Sequence, residues 1–412
     1  MSEGSSADTG GARNFAIVSE PLLPKDEDEV ADIVAVAAGR RTPLAIMGGG
    51  TRAGLGRPVQ AAASLSTAEM RGVTLYEPTE LVVSARAGTP LAEIEALLAE
   101  NGQRLTFEPP DHRRLYGSSG EPTIGAVAAA NLSGPRRIQT GAARDGLIGV
   151  RAVTGRGEVV KSGGRVMKNV TGYDLVKFLA GSYGTLAVLS EVTFKVLPAA
   201  ETEATLVIEG LDDAAAVAAL SAALGSPFSV TGAAHSPLTS AGPGRTCVRL
   251  EGFAASVADR VQRIRALPGP FSGAAVLDAA QSIALWRSIR DLDVLNAPAG
   301  APVWRLSVKP GDAPSLVERL HRAFECRALY DWGGGLVWIA GGDGPDVSAA
   351  TIRAAVAAVG GHATLVRAPD DVRNAVDVFQ PLPAPLIALT RKLKESFDPA
   401  GILNPGRMYA GI

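Results

Sequence analysis

Apolar residues recur at two spacings in the first hundred positions of the chain. In "PKDEDEVADIVAVAAGRR" (24–41) they return every three to four positions, after an acidic first turn and before two arginines. This pattern predicts an amphipathic helix whose charges suit its dipole. "TPLAIM" (42–47) predicts a short strand that stops at glycines, and "ELVVSARAGTPLAEIEALLAENGQRL" (80–105) predicts a second strand and helix, with Asn-Gly as the helix end. The N-terminal region is therefore expected to mix helices and strands.

Residues 123–198 are rich in glycine and in short apolar segments. "GLIGVRAVTGRGEVVKSGG" (146–164) predicts a β-hairpin with "TGRGE" as its turn. "TLAVLSEVTFKVLP" (185–198) predicts a long strand that ends at Pro198. We place a domain boundary near that proline.

The second half has a different pattern, in which an alternating apolar strand leads through a Gly/Asp loop into an amphipathic helix. Four such units occur, at 204–224, 246–267, 303–324 and 336–359. They predict an α+β fold with an antiparallel sheet covered by helices on one face. The four tryptophans all lie in this half, where we expect core or interface anchors: Trp286, Trp304, Trp332 and Trp338.

Composition narrows the class of protein. The chain has 412 residues, 46% hydrophobic and 20% charged, with a net charge of −2. These values favour a soluble protein of two domains and give no reason to expect nucleic-acid binding. The first 15 residues are rich in Ser and Gly and are expected to be a disordered tail, not a signal peptide. Two cysteines, Cys247 and Cys326, fit a reducing cytoplasm and cannot ligate an iron–sulfur cluster alone.

The stretch "PLAIMGGGTRAGLG" (43–56) has the densest run of glycines. It formally satisfies the dinucleotide fingerprint G-x-G-x-x-G/A, which also needs a helix that begins inside the motif. Gly54, Gly56 and Pro58 follow directly and disfavour that helix. A loop of consecutive backbone N–H groups that binds a phosphate remains, and so does a plain turn between strands.

Two further segments share this glycine and small-residue character. "GEPTIGAVAAANLSGP" (120–135) would let a flat ring approach the backbone closely, and it would equally suit a tightly packed small-residue helix. "KNVTGYDLVKFLAGSYGTLAVLSEVTFKVLP" (168–198) adds a Gly-Ser-x-Gly-Thr turn before its strand.

Together with "FDPAGILNPGRMY" (397–409), these segments resemble the FAD-binding domain of the vanillyl-alcohol oxidase, or PCMH-type, superfamily. Within it they are similar to the FAD-binding subunits of bacterial glycolate oxidases. The resemblance covers residues 20–200 and 385–410 well, and the middle only in architecture. It implies a two-subdomain PCMH-type FAD-binding domain at 16–199, an α+β (ferredoxin-like) cap domain at 200–380, and a C-terminal helix and tail at 381–412 that pack on the FAD domain.

The resemblance also implies the residues that contact FAD. The pyrophosphate would be wrapped by the first glycine loop, at Gly48, Gly49, Gly50, Thr51 and Arg52. The ribityl chain and flavin edge would meet Thr123, Ile124, Gly125 and Asn131. Asp145 would sit in the turn that closes the site, and Asn404 would return towards the flavin ring. The phosphate and adenine end would be reached by Gly184, Thr185 and Val188.

The chain departs from its relatives in its histidines. The glycine loop has none, so FAD is expected to be non-covalent. Related D-2-hydroxy-acid dehydrogenases carry the metal motif H-A-G-D-G-N-x-H, which is missing here, and we expect no metal. The four histidines show no pair at metal spacing, and for His362 a structural role is favoured: His112, His235, His321 and His362. No catalytic base is identifiable from the sequence.

Three functions remain open. The resemblance implies an FAD-binding subunit of a glycolate oxidase complex that converts glycolate to glyoxylate. A second FAD-containing subunit and an iron–sulfur subunit would be its partners, in the cytoplasm or at the inner face of the cell membrane. A stand-alone FAD-dependent D-2-hydroxy-acid dehydrogenase of the D-lactate type is the alternative, with Arg367 or Tyr173 in place of the metal. A third hypothesis is an assembly subunit with little or no redox role.

Overall fold

A computed structural model describes residues 20–164, 174–238, 242–341 and 345–412, with the side chains of 345–348 outside the description. The expected disordered tail (1–15) and Tyr173 therefore lie outside the described residues. Helices and antiparallel strands build both halves of the described chain, so the predicted α+β class is confirmed.

The described chain opens with one helix and a two-stranded parallel sheet. Helix α1 (Glu27–Arg40) begins after Asp26, whose side chain accepts the N–H of Glu29 at 2.9 Å, as capping residues do. Strand β1 (Leu44–Met47) pairs in parallel with β2 (Ala63–Ser66). Buried residues of these three elements form one apolar cluster. Residues 48–57 leave the end of β1 as turns and bends without a helix, as the glycines predicted.

A larger antiparallel sheet follows, and it contains the predicted hairpin and the predicted long strand. Its order is β3-β4-β8-β6-β7, and β5 pairs with β8. The strands are β3 (Val73–Glu77), β4 (Val82–Arg86), β5 (Gln103–Leu105), β6 (Leu147–Thr154), β7 (Val159–Gly163) and β8 (Ala187–Pro198). The helices are α2 (Leu91–Glu100), α3 (Arg113–Tyr116), α4 (Ile124–Ala130), α5 (Arg137–Thr140), α6 (Ala143–Gly146) and α7 (Leu175–Leu179). We call residues 20–198 the N-terminal module.

The next part of the chain, residues 202–375, is called the cap here. Its strands form one antiparallel sheet in the order β12-β9-β11-β10-β14-β15-β13-β16. They are β9 (Thr202–Glu209), β10 (Gly232–Ser236), β11 (Arg245–Gly252), β12 (Ala275–Leu277), β13 (Val303–Ser307), β14 (Cys326–Asp331), β15 (Leu336–Gly341) and β16 (His362–Arg367). The helices are α8 (Asp213–Leu224), α9 (Ala254–Arg265), α10 (Ala279–Arg290), α11 (Ala313–Ala323), α12 (Pro345–Ala358) and α13 (Asp370–Ala375).

The cap sheet divides into two halves with the same connectivity. The first half runs β9-α8-β10-β11-α9-β12, and the second runs β13-α11-β14-β15-α12-β16. In each half the fourth and third strands flank the first, and the second lies beyond the third, as in the ferredoxin-like βαββαβ unit. The halves join where His235 of β10 pairs with Tyr330 of β14.

The helices of the four predicted strand–helix units lie together on one face of the cap sheet, as predicted, but the other face is covered as well. Helices α8, α9, α11 and α12 pack on one face. On the other face α10 and the N-terminal module join one apolar cluster that includes Leu55, Leu115, Trp286 and Trp338. The sequence analysis did not predict this second covered face, where alternate residues of β13 and β15, such as Val303 and Trp338, are also buried.

A buried ion network holds the cap on the N-terminal module. Glu108 accepts from Arg249 of β11 at 2.9 and 3.0 Å, and Arg136 donates to Glu251 at 2.9 and 3.0 Å. Arg104 also pairs with Glu251. Burial alone would raise the pKa of Glu108 and Glu251, but the adjacent Arg249 and Arg136 lower both. Both carboxylates therefore stay charged and matched across the interface.

The segment after the cap returns to the N-terminal module. Helix α14 (Ala384–Phe397) leads into a tail whose Ile402 carbonyl accepts the N–H of Leu44 at 2.7 Å, while Asn404 donates its own N–H to the Leu44 carbonyl at 3.0 Å. The tail thus lies beside β1, at the start of the glycine loop.

Candidate functional site

A cavity opens where β1, the glycine loop, α4 and the tail meet. Eight of the predicted FAD-contacting residues line it: Gly48, Gly49, Gly50, Thr51, Arg52, Gly125, Gly184 and Val188. Its remaining wall includes Ala126, Ala129 and Ala130 of α4, together with Tyr183 and Arg407. Segments that are far apart in sequence thus form one site. Helix α4 is both a small-residue helix and a wall of the cavity, so the two interpretations of residues 120–135 are compatible.

The glycine loop presents unpaired backbone N–H groups to this cavity. Within the described residues, the N–H groups of Gly49, Gly50, Thr51 and Arg52 donate to no protein acceptor. Gly50 has a φ of +73°, which turns the loop and is rarely adopted by other residues. Consecutive N–H groups of this kind form a concave anion site. The loop therefore fits a phosphate group without a helix behind it.

Two of the glycines are required by the protein's own packing. A Cβ on Gly49 would lie 1.9 Å from the carbonyl oxygen of Glu121, and one on Gly120 would lie 2.0 Å from the carbonyl oxygen of Gly49. The first and second glycine segments therefore cross in backbone contact. By contrast, nothing lies within 4 Å of the Cβ position of Gly50. The close approach at Gly49 is thus between two chain segments, whereas the space beside Gly50 is open to the cavity.

Two cations without carboxylate partners stand beside the loop. Arg52 and Arg407 both line the cavity, and neither forms a salt bridge with any described residue. The Nε and one Nη of Arg52 are buried and have no hydrogen-bond partner. Burial lowers the pKa of both arginines. A bound diphosphate would be the anionic partner that these two guanidinium groups do not have within the described residues. Together with the unpaired N–H groups, this fits the diphosphate of FAD.

Three other predicted contacts lie around this cavity without lining it. Thr123 is buried beside Gly48, and its hydroxyl has no partner. Ile124 belongs to the apolar core of the N-terminal module. The hydroxyl of Thr185 donates to the Ser182 carbonyl at 2.7 Å. These side chains support the cavity from behind.

The last three predicted residues are engaged with backbone groups. The Asn404 amide accepts the N–H of Ile46 at 2.8 Å and donates to the Tyr183 carbonyl at 2.8 Å, so it ties β1 to the Tyr183 turn. Asp145 accepts the N–H of Ala142 at 2.8 Å and lines neither cavity described here. Asn131 accepts the N–H of Arg144 at 2.9 Å and lines a second cavity.

This second cavity, of about 260 Å³, lies between the N-terminal module and the cap. It shares Leu55, Ala130 and Tyr183 with the first cavity, so the two adjoin. Five of its polar side chains were not singled out as contacts from the sequence, and they come from five separate segments: His112, Arg137, Arg305, Asp331 and Thr364. The sequence offered one signal for this site, an arginine inside the otherwise apolar strand "VWRLSV". This residue, Arg305, faces the N-terminal module in the structure.

Burial perturbs the titratable groups of the second cavity. It lowers the pKa of His112 to about 3, which keeps the imidazole neutral, and its Nε2 has no partner. It raises the pKa of Asp331 to about 7, although one carboxylate oxygen accepts the N–H of Trp332 at 2.7 Å. Such groups are typical of functional sites.

Two further searches cover the described residues only. No group of three or more His, Cys, Asp or Glu side chains gathers there as a metal site. None of the helices described is long and apolar enough to cross a membrane. His362 is exposed at the start of β16, and the Arg367 guanidinium donates to the backbone carbonyls of Leu115, Pro298 and Ala301.

Comparison with known proteins agrees with this geometry. Residues 21–163 match the FAD binding domain family. Over 396 residues, the chain is 36% identical to glycolate oxidase subunit GlcE of Escherichia coli (strain K12), covering 96% of this chain and 98% of that protein. The chain belongs to the GlcE family. As in that family, its cofactor is FAD, and the chain is an FAD-dependent oxidoreductase subunit.

Other proteins of this comparison share less sequence identity with the chain. Glycolate oxidase subunit GlcD of Bacillus subtilis (strain 168) is 29% identical over 197 residues, which is 47% of this chain and 40% of that protein. The fold is shared with 4-ethylphenol oxidase from Gulosibacter chungangensis, with a TM-score of 0.71 at 14% identity over 94% of this chain and 89% of that one. At this identity the likeness shows the fold alone, and it agrees with the predicted PCMH-type fold.

Proposed function

We propose that this chain is the FAD-binding subunit of a glycolate oxidase complex and takes part in the oxidation of glycolate to glyoxylate. The observation that supports this most strongly is the near full-length similarity to GlcE, joined to a cavity built for a diphosphate. When bound, the flavin would supply a two-electron acceptor for the hydroxy acid.

The residues of this chain have binding and shielding roles in the proposal. The N–H groups of Gly49 to Arg52 would hold the FAD pyrophosphate, with Arg52 and Arg407 balancing its charge. Helix α4 would lie against the cofactor without side chains larger than alanine at Gly125, Ala126 and Ala129. The cap would exclude water from the second cavity, because its sheet covers the opening on the N-terminal module.

Electrons must then leave the chain, and we propose an iron–sulfur subunit and a second FAD-containing subunit as partners. Cys247 and Cys326 are its only cysteines, too few for the four thiolates of an ordinary cluster. Burial raises the pKa of both thiols to about 12, so they are poor metal ligands where they stand. We propose a cytoplasmic location, with attachment to the inner face of the cell membrane made through the partners. Cell fractionation with and without those subunits tests this.

The visible spectrum of the purified chain is the first test. Flavin absorbance, with glycolate oxidation that appears only after the partner subunits are added, is the expected result. Robust turnover of glycolate or D-lactate by the isolated chain would instead favour the stand-alone dehydrogenase. A colourless chain that cannot rebind FAD would favour the assembly subunit.

A further inference from the structure

Two arginines that line the second cavity come from different modules and contact the same tryptophan, Trp332, beside it. The Cζ of Arg137, on α5, lies 4.6 Å from the ring centroid of Trp332, and the Cζ of Arg305, on β13, lies 5.2 Å from it. Trp332 follows β14 and donates its indole N–H to the Gly134 carbonyl at 3.2 Å, across the module interface. The ring is therefore fixed, and it orients both guanidinium groups at the cavity wall.

Neither guanidinium has an acceptor among the described residues. No hydrogen bond or salt bridge joins the side chain of Arg137 or Arg305 to a described group, whereas the nearby Arg136 and Arg249 are both paired with glutamates. Burial and the charge of Arg137 lower the pKa of Arg305 to about 10, so it stays protonated at neutral pH. Asp331 is the carboxyl that acts on Arg305, and burial raises its pKa to about 7, so it balances little of this charge. Two adjacent, half-buried guanidinium groups without a hydrogen-bonded carboxylate therefore leave this wall suited to an anion.

We propose that Arg137 and Arg305 bind the carboxylate of a small 2-hydroxy acid in this chain's own second cavity. The guanidinium fork matches the geometry of a carboxylate, and the cavity of about 260 Å³ has room for a small acid. The acid would lie next to the flavin cavity, because the two share Leu55, Ala130 and Tyr183. This inference rests on the proposed function for the presence of flavin in the adjoining cavity, and it assigns a substrate site to this chain itself.

Binding is tested on the purified full chain by titration with glycolate and with oxalate, which has no oxidisable hydroxyl. Tryptophan fluorescence is followed, since Trp338 lines the cavity and the Trp332 ring contacts both arginines, and flavin absorbance is recorded in parallel. We expect a saturable change in fluorescence with both acids. Ethylene glycol, the uncharged counterpart of glycolate, should give none at the same concentrations.

The acid affinity of substituted chains tests whether Arg137 and Arg305 form the site. Arg137→Gln and Arg305→Gln should each weaken binding by about tenfold or more, the usual effect of losing a charge-assisted hydrogen bond. Arg305→Lys keeps the charge without the fork, needs less rearrangement of the fold, and should fall between Arg305→Gln and wild type. The control Arg319→Gln removes one charge from an exposed position of α11 and should bind as wild type does.

Several outcomes would overturn the inference. These are no saturable response by the wild-type chain, equal affinity in all four variants, or inorganic phosphate binding as tightly as glycolate. The proposed function fails separately, because loss of flavin appears in the absorbance spectrum before any acid is added. Variants that keep the flavin spectrum and lose acid binding support both.

Discussion

Substituting Gly49 by alanine tests the crossing of the two glycine segments most directly. The new Cβ would stand 1.9 Å from the Glu121 carbonyl oxygen, short of the 3.4 Å of ordinary contact by about 1.5 Å. Both sides of the contact are backbone, so no side chain can rotate away. Either the glycine loop or residues 120–123 must shift, and the unpaired N–H groups of Gly49 to Arg52 would shift with the loop.

The expected size of the effect follows from this overlap. Overpacking costs about 1–3 kcal/mol, and a contact between two backbones belongs at the upper end. A loss of about 3 kcal/mol corresponds to an FAD affinity roughly a hundredfold weaker. Gly50→Ala is the comparison variant, because its Cβ meets no protein atom within 4 Å and the φ of +73° is the unfavourable feature within the protein itself. That strain costs about 1 kcal/mol, or roughly fivefold in affinity.

The assay is titration of each apoprotein with FAD, followed by quenching of flavin fluorescence, with urea unfolding to monitor the fold. The reasoning predicts a clear order of affinity, with wild type first, Gly50→Ala next and Gly49→Ala last. Equal FAD affinity of the two alanine variants would refute it, because then the backbone contact would not position the loop.

Three other results are expected. Lys394→Met should lower the free energy of unfolding by about 3–5 kcal/mol in urea. The buried Lys394 ammonium pairs with Asp398 at 2.7 Å, and removing the ammonium leaves the Asp398 carboxylate without its cation. An unchanged urea midpoint would contradict this. Asp331 has a pKa of about 7 in the folded chain and near 4 when unfolded, so the free energy of unfolding should fall as pH rises through this range. Asp331→Asn should remove about 3 kcal/mol of that fall between pH 5 and 8. Parallel plots of unfolding free energy against pH for the variant and wild type would count against this. Denaturation in guanidinium followed by ultrafiltration should release FAD into the filtrate, since no histidine or cysteine lines the first cavity; flavin retained with the chain would contradict this.

Local patterns carried most of what the sequence predicted. The hairpin of β6 and β7, the long β8 and the absence of a helix after Gly50 follow from alternation and from glycine placement within a few positions. The burial of both faces of the cap sheet was missed. The sequence of β13 has apolar residues on both faces and one arginine, and from sequence alone this pattern cannot be told from that of a strand buried on one face.

The site was predictable only in part, for the same reason. Eight of the positions predicted to contact FAD line the first cavity, and each could be named because it belongs to a short motif that resembles a known family. Arg137 and Arg305 belong to no such motif, and they meet at Trp332 only after the cap folds onto the N-terminal module. Asn404 shows the limit of a motif, since its position near the site was predicted while its hydrogen bonds to the backbones of Ile46 and Tyr183 were not.

The tail beside β1 also sets the order of events during protein synthesis. Asn404 is made 358 positions after Ile46 and 221 after Tyr183, yet its amide joins the two, and Arg407 completes the wall of the FAD cavity. A growing chain on the ribosome can form both strands of the predicted hairpin long before it can close that cavity. If FAD occupies this cavity as proposed, we expect its loading to wait until residues 402–407 have left the ribosome. Prematurely terminated chains would remain without flavin, so the colour of the protein reports that translation has passed this point.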